Sequence, residues 1–174
     1  MAVGHEGLSA GDVRLRRLRV ATARALLLGT LERPGDWHPE FPADGTLTTL
    51  HMLLETYAAL GLDPGRSPWW FFGVVVDGVV VGDAGFHGPP PDEGPAEVEI
   101  GYRVVRSARG RGVATRACAL LLTDAWRNGA ALVRAEVEPD SPDGAASRAV
   151  LRANGFRPTA QGDFVVEAPV TPAA

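Results

Sequence analysis

The sequence predicts one mixed α/β domain of the α+β type, in which helices flank a twisted mixed sheet. Segments rich in β-branched and aromatic residues alternate along the chain with segments whose apolar residues recur at helical spacing. Hydrophobic residues make up 45% of the 174 residues and charged residues 22%, which is enough for a true core. No internal repeat or change in composition divides the chain, so we expect residues 1–174 to form a single domain.

The first part of the chain is predicted to contain a short strand and two helices. Residues 13–16 alternate apolar residues with Arg, which favours a short edge strand, and residues 20–31 have the Ala and Leu spacing of a helix. A loop with glycines and prolines follows. Residues 46–60 resume helical spacing, and Gly61 with Pro64 beyond it indicates where this second helix ends.

A β-hairpin is predicted next, with strands over residues 69–76 and 79–86. Both strands are rich in β-branched and aromatic residues, and Asp77-Gly78 between them is a dipeptide favoured by two-residue turns. The remaining predicted elements are a strand over 97–105, a helix over 114–128 that stops at Asn128-Gly129, a strand over 131–138, a helix over 145–153 and a strand over 163–168.

Composition and charge exclude several classes of protein. The longest apolar stretch, residues 69–76, is far shorter than the roughly 20 residues that a bilayer span needs, so we expect no membrane partner. The N-terminal residues lack the features of a signal peptide, so a cytoplasmic location is expected. A net charge of −4 argues against a nucleic-acid surface. The single cysteine, Cys118, is expected to pack in the core, and we expect no metal.

The segment between the strand over 97–105 and the next helix predicts an anion site. All 17 basic residues of the chain are Arg, and Arg109, Arg111 and Arg116 crowd the start of this helix. The first turn of a helix presents unpaired backbone N–H groups, and Gly110 and Gly112 allow a phosphate to approach the backbone closely. Because the arginines oppose the helix dipole there, an acidic ligand would relieve an unfavourable arrangement. A polyphosphate is the natural candidate.

Other interpretations of these glycines can be compared with it. A phosphate-binding loop of NTPases needs a Lys, and the chain has none, so that class is excluded. A dinucleotide fingerprint, as in a nucleotide oxidoreductase, needs a third glycine where this chain has Thr115, and several residues separate Val105 from Gly110. An ordinary glycine turn with solvated arginines is the remaining alternative.

Arg109, Gly112 and Ala114 match the motif Gln/Arg-x-x-Gly-x-Gly/Ala between a strand and a helix. The segments EVEIGYRVV, RSARGRGVATRA, LVRAEVEPDSPDG and ASRAVLRANGFRP surround and follow it within residues 97–158. Together they resemble the GNAT acetyltransferases, in particular the branch that contains the RimJ and RimL ribosomal-protein acetyltransferases. The resemblance implies a GNAT-like fold with an acceptor-side half over about residues 1–68 and an acetyl-CoA-binding core over about residues 69–168.

The resemblance also implies that acetyl-CoA is the cosubstrate. The backbone amides of the glycine loop would hold its pyrophosphate, in agreement with the anion site predicted from the residues. The end of the preceding strand would splay from its neighbour, so that its backbone pairs with the pantetheine arm as another strand would. The cofactor-binding residues expected on this basis are Val104, Val105, Arg109, Gly110, Arg111, Gly112, Val113 and Ala114.

Acyl transfer to an amine needs the neutral amine, so a group must take a proton from the ammonium form. Glu99 is the candidate general base, since it lies where the histone acetyltransferases of this family carry their catalytic Glu. Glu97 shares its strand face and is an alternative, as is His87 on the preceding strand. Glu99 as an ordinary solvent-facing carboxylate is the competing interpretation.

The family resemblance also bears on the departing thiolate. Many members carry a Tyr in the last helix where this chain has Leu151, so that acid is absent here. Ser147 matches a Ser that is common in the RimJ and RimL branch and is the second candidate catalytic residue, whereas Gly144 replaces the usual Asn. Ser147 as a helix-start residue that bonds its own backbone is the alternative.

The function predicted from the sequence is acetyl-CoA-dependent N-acetylation of an amine-bearing small molecule or a peptide N-terminus. Direct attack in a ternary complex is expected, since no Cys is placed as an acyl carrier. A set of aromatic residues and one histidine beside acidic residues would suit a cationic acceptor, although aromatic side chains more often pack in a core, and that is the competing interpretation: Trp37, His38, Phe41, Trp69 and Trp70. A non-catalytic acyl-CoA-binding module is the alternative function, and a monomer or homodimer is expected.

Overall fold

The computed structural model describes residues 8–138 and 142–169. Within these residues, eight strands form one sheet with the order β1-β2-β3-β4-β5-β6-β8-β7, which is antiparallel except for the parallel pair β5–β6. The strands are β1 (Ser9–Ala10), β2 (Val13–Arg17), β3 (Phe71–Val76), β4 (Val79–Phe86), β5 (Glu97–Val104), β6 (Leu132–Ala135), β7 (Arg157–Pro158) and β8 (Phe164–Glu167).

Four α-helices flank this sheet in the described residues, which confirms the predicted mixed α/β fold. Helices α1 and α2 pack together with Trp70 and Phe71 in one cluster of buried side chains. Helix α3 crosses from β5 to β6 and packs against the sheet and α4, and its buried residues belong to the main core. The helices are α1 (Val20–Leu27), α2 (Thr46–Ala59), α3 (Val113–Arg127) and α4 (Gly144–Ala153).

The hairpin is the local prediction that the structure matches most closely. Asp77 has a φ of 49° and Gly78 a φ of 82°, so both turn residues are left-handed, as a two-residue turn of this type requires. Trp70 is fully buried and Trp69 is 7% exposed. The turn therefore fixes a pair of long strands at the centre of the sheet.

Three predictions about individual elements are wrong. Strand β2 is not at the edge of the sheet, because the two-residue strand β1 pairs outside it. Helix α1 ends at Leu27 rather than at residue 31, because Gly29 adopts a φ of 67° and the Thr30 N–H turns back to the Ala25 carbonyl. Strand β6 ends at Ala135 rather than at residue 138. In addition, no pattern in the sequence indicated β7.

Four of the aromatic residues considered for an acceptor pocket lie in the core. Trp37, Phe41, Trp69 and Trp70 are all at most 8% exposed. Trp37 and Phe41 contact each other edge to face, as do Trp69 and Phe86. Their apolar area is used for packing, so the core interpretation is confirmed for these four residues and they do not line an acceptor pocket. Across the described part of the chain, no helix is both long and apolar enough to cross a bilayer.

Candidate active site

A gap opens in the sheet where β5 separates from β6. Parallel pairing between these strands ends at Glu99 and Arg134, whereas β5 remains paired with β4 as far as Val104. The Glu99 carbonyl and the Val105 N–H both bond to residues on the β4 side. Since strand backbones alternate, Tyr102 and Val104 direct their N–H and C=O groups toward the open side.

This arrangement changes the prediction for the strand end. The Val105 N–H donates to the Val81 carbonyl at 2.8 Å, so it is not free to pair with another chain. The Val104 carbonyl accepts a hydrogen bond from Arg109 Nε at 2.9 Å. The free edge thus centres on Tyr102 and the Val104 N–H. Tyr102 was missed because the family motif begins after it, although strand alternation from Val104 would have indicated it.

The glycine loop connects this strand end to α3. After one 3₁₀ turn at Arg106–Ala108, Gly110 and Gly112 take φ values of 74° and 71°, and α3 begins at Val113. Among the described residues, the backbone N–H groups of residues 110–114 have no hydrogen-bond acceptor, and the first helical bond joins the Arg116 N–H to the Gly112 carbonyl. A row of unpaired donors therefore lies at the helix N-terminus beside the gap.

The three arginines near this row of donors have different surroundings. Arg109 donates from Nη1 to Asp143 Oδ1 at 2.8 Å, and Arg116 Nη2 lies 3.0 Å from Asp12 Oδ1. Arg111 is exposed and forms no ion pair within the described residues. Arg111 is accordingly the side chain available to an anion at the loop, while the other two hold the loop in place.

Glu99 does not face solvent alone but pairs with His87 of the turn after β4. Its Oε1 lies 2.6 Å from His87 Nδ1. The second ring nitrogen, His87 Nε2, is buried and has no hydrogen-bond partner among the described residues. A Cβ atom at Gly101 would lie only 2.8 Å from this nitrogen, so the ring lies against the β5 backbone at a position where only glycine leaves room.

Glu97, the other carboxylate on this face, has a different partner. It accepts a hydrogen bond from Arg134 Nε at 2.6 Å, and this bond contributes most to a raised pKa of Arg134. Arg134 also pairs with Asp163 of the segment before β8. His87, Glu97, Glu99 and Arg134 line an open cleft of about 320 Å³ together with Thr56 of α2, Gly88, Pro89 and Val98. Of the two carboxylates, Glu99 is therefore the one coupled to an imidazole.

A buried carboxylate that sequence reasoning missed lies on the same side of the sheet. Asp83 in β4 is 1% exposed, accepts a hydrogen bond from Thr46 Oγ1 at 2.5 Å, and lies 3.2 Å from Arg103 Nη1. Burial raises the pKa of this carboxyl, and Arg103 and Thr46 offset part of the rise. The cluster attaches the first residue of α2 to the sheet. A charged residue within an otherwise apolar strand was the signal available in the sequence.

Ser147 faces Tyr102 across the gap. The Tyr102 hydroxyl donates to the Ser147 carbonyl at 3.2 Å and lies 3.3 Å from Ser147 Oγ. Burial raises the pKa of Tyr102, so the phenol stays protonated. The structure therefore brings Ser147 of α4 into contact with Tyr102 of β5, a residue that the sequence did not single out.

A family profile described as the acetyltransferase (GNAT) domain matches residues 12–157. The chain belongs to the GNAT family. No curated protein matches the chain closely enough to be counted as a relative.

Several solved structures share its fold at low sequence identity. RimJ from Mycobacterium smegmatis, in complex with CoA-disulfide, is 24% identical over 93% of this chain and 85% of that one, with a TM-score of 0.59. RimL, the ribosomal L7/L12 α-N-protein acetyltransferase in complex with coenzyme A, is 17% identical over 93% and 98%, with a TM-score of 0.57. The yncA protein from Salmonella typhimurium with acetyl-CoA is 20% identical over 93% and 97%, with a TM-score of 0.55.

Two departures from the GNAT pattern have a structural reason in this chain. Leu151, where many GNAT members carry Tyr, is fully buried in the main core, so its side chain does not reach the gap. Gly144 begins α4, and a Cβ atom there would lie close to the Arg148 side chain and the Glu138 carbonyl, so a side chain has little room. Residues 139–141 of the resembling segment lie outside the described residues. Cys118 is also fully buried, and burial raises its pKa to about 12. Because burial disfavours the thiolate form, Cys118 is poorly suited to carry an acyl group.

Proposed function

We propose that this GNAT domain is an acetyl-CoA-dependent N-acetyltransferase that acetylates a primary amine by direct attack in a ternary complex. The observation that carries the proposal is the row of N–H groups over residues 110–114, beside the β5–β6 gap, for which the described residues supply no acceptor. A helix N-terminus with free donors and partial positive charge suits a diphosphate. Gly110, Gly112, Val113 and Ala114 would contact it through the backbone and Arg111 through its side chain.

The free edge of β5 supports the same cosubstrate. The pantetheine arm of acetyl-CoA carries amides that pair with a strand edge, and the open N–H and C=O groups at Tyr102 and the Val104 N–H supply one. Acetyl-CoA, when bound, supplies an activated thioester. One of the open N–H groups would stabilise negative charge that develops on the thioester carbonyl oxygen.

The acceptor would reach the thioester from the cleft that contains His87, Glu97 and Glu99. Glu99 would attract an ammonium group, since Glu97 is bonded to Arg134, and the pair Glu99–His87 supplies a proton acceptor. On the other side of β5, Ser147 Oγ and the Tyr102 hydroxyl supply hydrogen bonds for the departing thiolate. Cys118 is buried, so attack by the amine on the thioester itself, without an acyl-enzyme, fits the chain.

The acceptor class stays broad. RimL is the ribosomal L7/L12 α-N-protein acetyltransferase, so a peptide N-terminus is the first class to test, followed by small-molecule amines. A cytoplasmic location and a monomeric or homodimeric state remain predictions from the sequence.

The test combines binding with turnover. Titration calorimetry with coenzyme A and acetyl-CoA is expected to show saturable binding, and NADH is expected to give none. Incubation with acetyl-CoA and a panel of peptides with free N-termini, polyamines and aminoglycosides is expected to release coenzyme A in proportion to one amine class. Absence of coenzyme binding would refute the assignment.

A non-catalytic acyl-CoA-binding module is the second candidate, because Leu151 and Gly144 depart from the family pattern. It predicts the same calorimetric result but no amine-dependent release of coenzyme A across the whole panel. The two candidates are therefore separated by the turnover measurement alone.

A further inference from the structure

We infer that β4 positions the strand edge to which acetyl-CoA would bind, through a bulge at Val81 and through Gly82 beside it. This inference rests on the proposed function, because it concerns the edge assigned there to the pantetheine arm. Gly82 lies in β4, and β5 separates it from the gap. It would therefore act as a positioning residue through the backbone of β5, without contacting the coenzyme.

The bulge is visible in the pairing of β4 with β3. Gly82 pairs with Val74 of β3. Val80 pairs with the next residue of β3, Val75, so Val81 is an extra residue in β4. A strand that contains a bulge bends and twists more strongly at that point. The bulge therefore redirects β4 where it runs beside the end of β5.

The end of β5 is attached to this bulge. The Val81 carbonyl accepts a hydrogen bond from the Val105 N–H at 2.8 Å, one residue beyond the last pair of the β4–β5 ladder, Gly82–Val104. Pairing of β5 with β6 ends at Glu99, so from there onward β5 is held by β4. The position of the free edge of β5 thus depends on the course of β4.

Gly82 allows an unusually close approach between the two backbones. A Cβ atom at this position would overlap the Arg103 carbonyl oxygen and lie 3.0 Å from the Val104 Cα atom. In a regular strand a Cβ points out of the sheet, so the overlap shows that the backbone at Gly82 is turned toward β5. Both contacted atoms belong to the backbone and cannot move away by a change of rotamer. A side chain at position 82 would therefore displace β5.

The displaced part of β5 contains a group that faces the gap. In a trans peptide unit the C=O and N–H groups point in opposite directions. The Arg103 carbonyl and the Val104 N–H belong to one such planar unit, so the oxygen that lies against Gly82 is rigidly linked to an N–H on the free edge. A shift of that oxygen moves the N–H with it. Because hydrogen bonds weaken steeply when their geometry is lost, the pantetheine arm would lose a partner there.

Gly85, on the same strand, provides a comparison. A Cβ atom at Gly85 would lie 2.9 Å from the Trp70 carbonyl oxygen and 3.0 Å from the Phe71 Cα atom. Those atoms belong to β3 and the residue before it, on the side of β4 that is away from β5. Crowding at Gly85 would therefore disturb the sheet at β3 rather than at the free edge of β5.

The two halves of the coenzyme allow the strand edge to be tested separately from the glycine loop. 3′-Phospho-ADP is the fragment of coenzyme A that has the phosphates but no pantetheine arm, so it reports on the loop. We expect Gly82→Ala to weaken binding of coenzyme A roughly tenfold, or about 1.4 kcal/mol, and to change the affinity for 3′-phospho-ADP by less than about twofold. Titration calorimetry measures the first affinity, and competition against coenzyme A measures the second.

Gly85→Ala is the matched control, since it adds the same methyl group to the same strand against another backbone. Both affinities should stay within about twofold of the wild type. Urea unfolding of both variants shows how much stability each substitution costs. A loss of coenzyme affinity that is confined to Gly82→Ala is then separated from a general loss of stability.

Val105→Pro tests the attachment to the bulge without a side chain at position 82. Val105 has a φ of −55°, which proline adopts, and proline removes the N–H that bonds to the Val81 carbonyl. This variant should also weaken coenzyme A binding while it retains the affinity for 3′-phospho-ADP. If Gly82→Ala unfolds below the assay temperature, Val105→Pro decides the inference.

Unchanged affinity for coenzyme A in these variants would overturn the inference. An equal loss for coenzyme A and 3′-phospho-ADP would do the same, as would an equal loss of coenzyme affinity in Gly85→Ala. The proposed function is tested in the wild type alone, by coenzyme binding and amine-dependent release of coenzyme A. Its failure is therefore distinguishable from a failure of the role assigned to Gly82.

Discussion

The Arg109 guanidinium donates a hydrogen bond to the Asp143 carboxylate at 2.8 Å and thereby joins the glycine loop to the start of α4. Its Nε also donates to the Val104 carbonyl, at the end of β5. One side chain therefore connects the two sides of the gap next to the row of unpaired N–H groups. Arg109 matches the first position of the family motif, and because both contacts are within the protein we expect its side chain to shape the loop rather than to contact a phosphate.

Arg109→Lys should weaken acetyl-CoA binding by roughly three- to tenfold, at most about 1.4 kcal/mol, because one ammonium cannot make both contacts in the same geometry. The ion pair is about half exposed, so the free energy of unfolding should fall by less than about 1 kcal/mol. Calorimetry and urea unfolding check both values. Arg66→Lys, at an exposed ion pair away from the site, is the control. A fall of many kcal/mol in stability without any change in affinity would contradict this role.

Gly112→Glu should weaken acetyl-CoA binding well beyond tenfold, or about 1.4 kcal/mol, because it places a carboxylate beside the donors of the loop. Part of any effect would come from a side chain at a φ of 71°. Gly129→Glu adds the same charge at a φ of 86°, in open space beyond the end of α3. Calorimetry should therefore show normal affinity in the control. Equal losses in both variants would remove the site from this loop.

Tyr102 and Ser147 should act as one unit on the departing thiolate. Tyr102→Phe and Ser147→Ala are each expected to lower kcat by roughly three- to thirtyfold, and the double variant by little more than the larger single effect. Their contact, 3.3 Å between the two hydroxyl oxygens, is the physical reason for this coupling. Single-turnover rates with saturating acetyl-CoA measure it. Tyr57→Phe, which removes a buried hydroxyl bonded to Ser67, controls for loss of a tyrosine hydroxyl and should leave kcat unchanged.

Leu151→Tyr should not restore a catalytic acid. Leu151 is fully buried, so a larger polar side chain there would overpack the core and leave a buried hydroxyl without a hydrogen-bond partner. The free energy of unfolding should fall by roughly 1–3 kcal/mol. Thermal unfolding and kcat check the prediction together. Leu151→Met, similar in volume, should cost less. A rise in kcat for the Tyr variant would show that this position does face the gap.

Much of the fold could be predicted because local signals agreed with the tertiary structure. The Asp77-Gly78 turn, the β-branched strands beside it and the helix after the glycine loop each have the pattern that their structure requires. β1 and β7 could not be found, since two residues carry no periodicity and exist only through their pairing. The length of α1 depended on Gly29 in a left-handed conformation, which a glycine permits but does not enforce.

The part of the candidate site that is local in sequence is the part that the sequence could suggest. The loop over residues 109–114 is one continuous segment, so its glycines and arginines together predict an anion site. The pair His87–Glu99 and the pair Tyr102–Ser147 join different elements, and their partners follow only from strand register and helix packing. Val105 shows the converse error, because the end of a strand does not by itself reveal which edge its N–H faces.

Asp83→Asn should become more stable relative to the wild type as pH rises. Burial raises the pKa of Asp83 above the ordinary value of 3.8, so between the two values the folded state binds more protons than the unfolded state. The stability contributed by Asp83 is therefore full below pH 3.8 and is lost as pH rises through the folded-state value. Asn keeps an oxygen for Thr46 without a charge. Urea unfolding of both proteins between about pH 4 and 8 measures the difference, with Asp92→Asn in an exposed loop as the control. A difference that stays constant or shrinks with pH would mean that Arg103 outweighs burial at this carboxyl.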